Sequence, residues 1–277
     1  MKPTFPRSRT ADLRVSVLTD PDRPKVRPQE IVRTVKEAGL EFAPKDADIA
    51  IVIGGDGVFS YFGRLTSIPL LFVGVRSRKA TGSKAYLAAV NLDELGSALE
   101  KIKRGRYEVK KFKRLEVLLN KRKLADVFTD ITLERGADSN CLRYKLVARG
   151  KDFGFTDFAI ANGVIVCTSA GSTGYFSYLD KLRQGDRFEP NVSSTMKPDQ
   201  IGICYIIPTY TERDNSSIHP LRYRIPWESE VKIQLTRDAD ARLYGITRSQ
   251  RGIRVGTEDV VHVRPSSNTT QVVKLSN

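Results

Sequence analysis

The sequence predicts two domains of different class. The first is an α/β domain built on a doubly wound parallel sheet; the second is mostly antiparallel all-β. Three observations carry this. Up to Gly105, short apolar runs alternate with stretches whose apolar residues recur at helical spacing. From Tyr107 onward, apolar residues alternate with period two, and few of the intervals leave room for a long helix. Between these patterns, the run Ile49-Ala50-Ile51-Val52-Ile53 ends at Gly54-Gly55-Asp56-Gly57 and passes into a helical pattern. The expected boundary falls at about residue 106.

Taken in order, residues 1–12 are polar and carry Pro3, Pro6, Arg7 and Arg9, the composition of a loose tail. Leu13 to Leu18 reads as a first strand, followed by a Pro- and Arg-rich loop from Asp20 to Pro28. Ile31, Val32, Val35 and Ala38 mark one face of a helix, and Gly39 is a natural stop. The apolar run at 49–53 is a buried parallel strand, and Val58, Phe59 and Leu65 follow at helical spacing. A third strand spans 69–73 and ends at Gly74. Leu92, Leu95, Leu99 and Ile102 form a second helical stripe, closed by Gly105. In the second half, strand-like runs include 142–148, 158–167, 201–207, 231–235, 259–263 and 271–275.

Composition narrows the function. The chain has 277 residues, 40% of them hydrophobic, enough for sizeable cores. Its 46 basic and 32 acidic residues give a net charge of +14. The charge is dispersed, which favours anionic small ligands over a nucleic-acid stripe, so nucleic acid is not the expected partner. The basic run 101–123 reads as a solvated helix end and strand face. Three scattered cysteines and two histidines make a zinc site unexpected and a reducing compartment expected. No stretch has the length of a membrane span, and the start lacks the apolar core of a secretory signal. The expected location is cytoplasmic, with no membrane partner. Trp227, His262, Met196 and Cys204 read as packing residues.

Two stretches carry chemistry. A strand, a glycine turn and a helix present backbone N–H groups to phosphate. Gly54, Gly55 and Gly57 suit that role, because a side chain would block close approach and such turns use positive φ. Asp56 is the one side chain in the turn. A carboxylate beside phosphates is electrostatically wrong unless it binds a metal, orients a hydroxyl or takes a proton. The plain alternative is a tight turn with a helix-capping Asp. The second stretch, 161–178, runs from a strand into Thr168-Ser169-Ala170-Gly171-Ser172-Thr173-Gly174-Tyr175. Hydroxyls and glycines can wrap phosphate or ribose oxygens, and Tyr175 offers a ring for stacking. Its plain alternative is a Ser/Gly-rich loop.

Together these stretches resemble the NAD kinases, of the superfamily that shares the Gly-Gly-Asp-Gly turn with diacylglycerol, sphingosine and 6-phosphofructokinases. Asn162 through Tyr178 matches the family's second motif without a gap, and His219-Pro220-Leu221-Arg222-Tyr223-Arg224-Ile225-Pro226 is similar to its third, with the proline shifted. The resemblance implies phosphoryl transfer from ATP or polyphosphate to the adenosine ribose 2′-hydroxyl of NAD, giving NADP. It implies Mg²⁺ or another divalent cation carried by the donor phosphates, with no protein metal ligands, and a homodimer or homotetramer. It implies a first domain over 1–106 and an NAD-binding second domain over 107–263, with the chain end, about 264–277, returning to the first. Asp56 matches the catalytic aspartate, and Gly54, Gly55 and Gly57 match the phosphate side. Thr173, Gly174, Tyr175 and His219 match NAD-contacting positions.

Departures cluster on the acceptor side. The family's Asn-Glu pair is Thr129-Asp130 here, and its Asp before Gly163 is Asn162. The adenine-stacking Phe corresponds to Tyr86, a small residue to Tyr178, and a late Asp-Gly to Tyr244-Gly245. Arg76, Arg78, Lys79 and Lys84 add positive charge. Three readings follow. One is a kinase. Another is a nucleotide-binding paralogue with altered acceptor or regulatory role and little turnover. The last is a nucleic-acid binder, motivated by charge alone.

Overall fold

The computed structural model describes residues 13–20, 22, 26–75, 85–181, 196–213, 221–247 and 251–276. The chain divides into two compact units. Unit 1 comprises Met1–Phe112 and Thr270–Asn277, and unit 2 comprises Lys113–Thr269.

In unit 1, strands β1 (Arg14–Thr19), β2 (Glu41–Phe42), β3 (Ile49–Gly54), β4 (Leu70–Gly74) and β5 (Val90–Asn91) alternate with helices α1 (Pro28–Glu37), α2 (Asp56–Leu65) and α3 (Leu95–Lys103). The pairings of β2 with β1, β1 with β3, β3 with β4 and β4 with β5 are parallel. Near the chain end, Val272 pairs in parallel with Leu70 of β4. Every residue of β3 and β4 is buried, as continuous apolar strands covered on both faces must be. Pro28 opens α1, where its missing N–H costs nothing. At the other end Gly39 takes φ +71°, and Lys103 Nζ donates to the Ala38 carbonyl at 2.9 Å, satisfying one of the helix's orphan acceptors. Ile31 and Val35 of α1 and Leu95, Leu99 and Ile102 of α3 share one core with Ile49, Ile51, Ile53, Leu71 and Val73.

Strand β6 (Tyr107–Leu119) leaves unit 1 and crosses the division at 112; the boundary expected at about 106 precedes this strand. Unit 2 then holds β7 (Arg122–Val127), β8 (Asp130–Arg135), β9 (Leu142–Arg149), β10 (Gly154–Cys167), the single turn α4 (Tyr178–Lys181), β11 (Gln200–Arg213), β12 (Arg222–Pro226), β13 (Glu230–Leu235), β14 (Ala241–Tyr244) and β15 (Ile253–Val255). Strand β16 (Val260–Leu275) leads back to unit 1. Its described pairing inside unit 2 is antiparallel, as is every other described pairing there. The 14-residue β10 organises the unit. It pairs with β11 along most of its length and changes its other neighbour midway. Gly154 to Ala161 lie against β9, and Gly163 to Cys167 lie against β8. Asn162 sits at that fork.

Four sequence expectations need correction. The runs 259–263 and 271–275 belong to one strand, because the polar interval Arg264–Thr270 stays extended rather than turning. The run 158–167 begins four residues earlier, at Gly154, and 201–207 continues to Arg213. Both extensions carry polar residues, a buried Asp157 in the first and Thr209, Thr211, Glu212 and Arg213 in the second, which break the apolar runs. Within the 101–123 basic run, Lys110 and Lys111 are exposed, but Arg114 is buried. Burial draws the Arg114 guanidinium pKa down and Asp126 opposes it.

Trp227 is buried, with Lys113 Nζ 5.0 Å above its ring, and His262 Nε2 lies 2.8 Å from Glu230 Oε2. Both are packing roles. Unit 2 also encloses a polar cluster. Asp157, 1% exposed, is gripped by Arg213 through two bonds of 2.7 and 3.0 Å and accepts from the Tyr205 hydroxyl at 2.5 Å. The Arg213 guanidinium lies 3.7 Å from the Phe155 ring centroid and 4.3 Å from that of Tyr223.

Candidate functional site

The turn at the end of β3 takes its shape from packing. Gly55 caps α2 in extended backbone, at φ −112° and ψ −177°, and Asp56 is the first helical residue. Val58 and Phe59 N–H groups both close onto the Gly55 carbonyl, at 2.9 and 3.1 Å. The described glycines with positive φ are Gly39, Gly105, Gly245 and Gly252, so the expectation of positive φ in this turn is wrong. Glycine is required at 54 for a different reason: a Cβ there would stand 2.8 Å from that of Val58. At Gly57 a Cβ would meet nothing within 4 Å. That position is exposed, and its openness is what a ligand would use. Stacking of Phe59 on Phe72, 4.7 Å between centroids, fixes α2 against β4.

Asp56 does not point idly into solvent. Its Oδ2 accepts the Tyr86 N–H at 3.1 Å and its Oδ1 accepts the Leu87 N–H at 2.9 Å. Thirty residues away in sequence, this loop is packed over the end of β4. A Cβ on Gly74 would lie 2.9 Å from the Cβ atoms of both Ala85 and Ala88. Ala85 itself takes φ +47°, an uncommon backbone for a residue with a side chain. The result is an acid oriented by two backbone donors, one of them from Tyr86, a residue that is 59% exposed. A carboxylate oxygen has lone pairs to spare beyond one donor each, so both can still accept from a hydroxyl.

Unit 2 gathers most of the other candidate residues around the end of β10. Thr168 N–H donates to the Thr129 carbonyl at 2.7 Å, and the Thr168 hydroxyl donates to the Phe128 carbonyl at 2.7 Å. A Cβ on Gly171 would come within 2.5 Å of the Thr129 carbonyl oxygen, and one on Gly245 within 2.4 Å of that of Asp130. Thr129-Asp130, the 168–172 turn and Tyr244-Gly245 therefore touch. Burial raises the Asp130 carboxyl pKa, and the Thr129 hydroxyl counters it. Past this turn the backbone runs through single turns at Ser169–Gly171 and Tyr175–Ser177 before α4. Thr173, Gly174 and Tyr175 are exposed, whereas Phe176 and Leu179 are buried.

Tyr175 donates to Glu134 Oε1 at 3.3 Å, and its ring meets Tyr178 edge-on at 5.9 Å. Burial, then the neighbouring Glu134, pushes the Tyr175 phenol up to about 12. Tyr178 is held at about 12, mainly by burial, and its hydroxyl donates to the Tyr205 carbonyl at 2.5 Å. Asn162 accepts from the Cys141 thiol at 3.5 Å. Glu134, opposite Gly163 across the β8–β10 pairing, is a carboxylate that the sequence reading did not single out. Only its pairing register exposes it. His219, Arg76, Arg78, Lys79 and Lys84 lie outside the described residues.

An acid at a glycine turn on a parallel α/β unit, with a hydroxyl–glycine loop on a β-rich unit, is the arrangement that the resemblance to the Gly-Gly-Asp-Gly kinases leads one to expect. The comparisons make this more particular. A curated NAD kinase of Thermoplasma volcanium is 27% identical over 257 residues, 92% of this chain and 84% of that protein. One from Clostridium kluyveri is 33% identical over 134 residues, 46% of this chain and 44% of that protein. Among solved structures, the yeast NADH kinase complexed with NADH superposes with a TM-score of 0.66 at 16% identity, covering 96% of this chain and 84% of that one. The NAD kinase of Archaeoglobus fulgidus in complex with ATP gives 0.62 at 16% identity, covering 96% and 94%. No protein-family model matches the chain. The chain is a divergent relative of the NAD kinases.

Proposed function

We propose that this chain is itself an NAD kinase, transferring a phosphoryl group from ATP or polyphosphate to the adenosine ribose 2′-hydroxyl of NAD. The observation that carries this is the Asp56 carboxylate, oriented by the backbone N–H groups of Leu87 and of Tyr86, itself an exposed aromatic residue. With ATP as donor, the 2′-oxygen attacks the γ-phosphorus, the bond to the β-phosphate bridging oxygen breaks, and Asp56 orients the hydroxyl and takes its proton. ADP and NADP leave. The Gly54-Gly55-Asp56-Gly57 turn lies against the donor phosphates. Tyr86 stacks on the adenine of NAD, while Thr129, Asp130, Asn162, Thr173, Gly174, Tyr175, Tyr178 and His219 hold NAD, as the family resemblance assigns them. Among the described residues no group of three or more His, Cys, Asp or Glu side chains is placed to hold a metal. A divalent cation would be carried by the donor phosphates, the mode Mg²⁺ favours, and would offset phosphoryl charge there.

A coupled NADP assay with ATP and with polyphosphate as donors tests the reaction. NADP forms with at least one of them. Binding of NAD without NADP from either donor would instead select the paralogue reading. Gly57→Ala separates a ligand turn from a structural one. With no atom within 4 Å of the added methyl, the variant folds with stability unchanged or raised by at most about 1 kcal/mol. Its ATP affinity drops at least about tenfold, because the methyl occupies the phosphate's approach. Unchanged ATP affinity would remove the turn from the donor site.

A further inference from the structure

The 173–178 segment is held from behind by a residue outside the set assigned above. Arg222, on β12, has a side chain 1% exposed, the largest fully buried side chain in the described chain. Its Nη2 lies 2.6 Å from Asp180 Oδ1 and its Nη1 donates to the Phe176 carbonyl at 3.2 Å. The guanidinium also sits 5.3 Å from the Phe176 ring centroid. These contacts grip residues 176–180, directly behind exposed Thr173, Gly174 and Tyr175. The grip is passed on locally. The Ser177 hydroxyl donates to the Gly174 and Thr173 carbonyls at 2.7 and 3.1 Å, and the Gly174 N–H closes onto Gly171 at 3.0 Å. Phe176 and Leu179 are pressed into a small core with Ile165, Cys167, Cys204 and Ile206.

A buried ion pair is a poor device for stability alone. Desolvating a guanidinium costs several kcal/mol, and apolar replacements of such pairs are often neutral. What it supplies is direction: one planar fork fixes a carbonyl and a carboxylate at once. The small core would hold the segment down without it, but would not set which way 173–175 face.

We propose that Arg222 is a positioning residue for NAD binding: it fixes 176–180 so that Thr173, Gly174 and Tyr175 are presented to the acceptor. This rests on the reading of 173–178 as an NAD-contacting segment. Asp180 is 29% exposed, so it can be hydrated once the arginine is gone, and Arg222→Met should fold. Calorimetry with NAD and with ATP, and amide hydrogen exchange on the ligand-free chain, test the proposal. In Arg222→Met, NAD affinity falls at least about tenfold, equivalent to about 1.4 kcal/mol, while ATP affinity moves by less than about twofold. Exchange accelerates at 173–178 and not in β10. Arg222→Lys recovers part of the loss, since an ammonium cannot span both acceptors. If Arg222→Met does not fold, Asp180→Asn takes its place and shows the same pattern more weakly.

Unchanged NAD affinity in a folded variant, equal loss of both ligands, or exchange rising evenly through unit 2 would each overturn it. If the unmodified chain binds ATP but not NAD, the acceptor reading falls together with this role. The exchange comparison then still decides whether Arg222 orders the segment.

Discussion

Asp56→Asn lowers kcat for NADP formation by about 10²- to 10⁴-fold, the range that a positioned proton acceptor supplies. A second effect is specific to this chain. Both carboxylate oxygens accept backbone N–H groups, from Tyr86 and Leu87. An asparagine has one acceptor oxygen and one NH₂, so one of those two donors meets another donor. Losing a hydrogen bond to a charged group costs about 1.5–3 kcal/mol, and here the cost falls on the loop that carries the Tyr86 ring. Asp56→Asn therefore also raises the KM for NAD. Tyr86→Ala isolates that second effect: KM rises while kcat stays within about threefold, because the acid remains. Steady-state kinetics on both variants make the comparison. If Asp56→Asn turns over at the unmodified rate, Asp56 is only a loop clamp.

The largest stability effect is expected far from this acid, at Asp157. The carboxylate is buried and held by two bonds from Arg213, whose side chain is 16% exposed. Asp157→Ala leaves the guanidinium between Phe155 and Tyr223 without its counter-charge and takes the acceptor from Tyr205. Breaking a buried pair from one side costs about 3–5 kcal/mol, a fall in Tm of roughly 6–20 °C at this size. Replacing both partners together, Asp157→Leu with Arg213→Met, costs far less, because no charge is stranded. Urea titration of the single and double variants measures both. A single variant within about 1 kcal/mol of the parent would show that breaking the pair does not strand a buried charge.

The contrast between Asp56 and Asp157 also shows what a linear sequence reveals. The strand of β3 was plain, because five consecutive apolar residues of this kind are stable only when buried on both faces. The turn after it was plain because its glycines and acid are adjacent. The reason for the glycines is not legible there: spacing does not show whether a glycine serves backbone freedom or close packing, and at Gly54 the answer is the side chain of Val58. Contacts that join distant residues were invisible. Asp56 meets Tyr86 and Leu87 only because β3 and β4 are parallel neighbours, and Arg222 meets Asp180 only because β12 pairs with β11. Glu134 does not stand out in the sequence, because its place opposite Gly163 depends on the register of β8 against β10. The departures at Thr129, Asn162 and Tyr244 are far apart in the sequence, and only the family resemblance groups them on the acceptor side. In the fold, Thr129-Asp130 and Tyr244-Gly245 touch one another, and Asn162 stands at the fork of β10.

In the proposed reaction the phosphoryl group passes to a ribose hydroxyl of NAD. Phosphorus-31 NMR of the chain with MgATP and NAD follows that transfer directly. A 2′-phosphomonoester resonance should grow in step with ADP, and should be absent with Asp56→Asn over the same interval. ATP loss matched by inorganic phosphate, or no new resonance although both nucleotides bind, would contradict it.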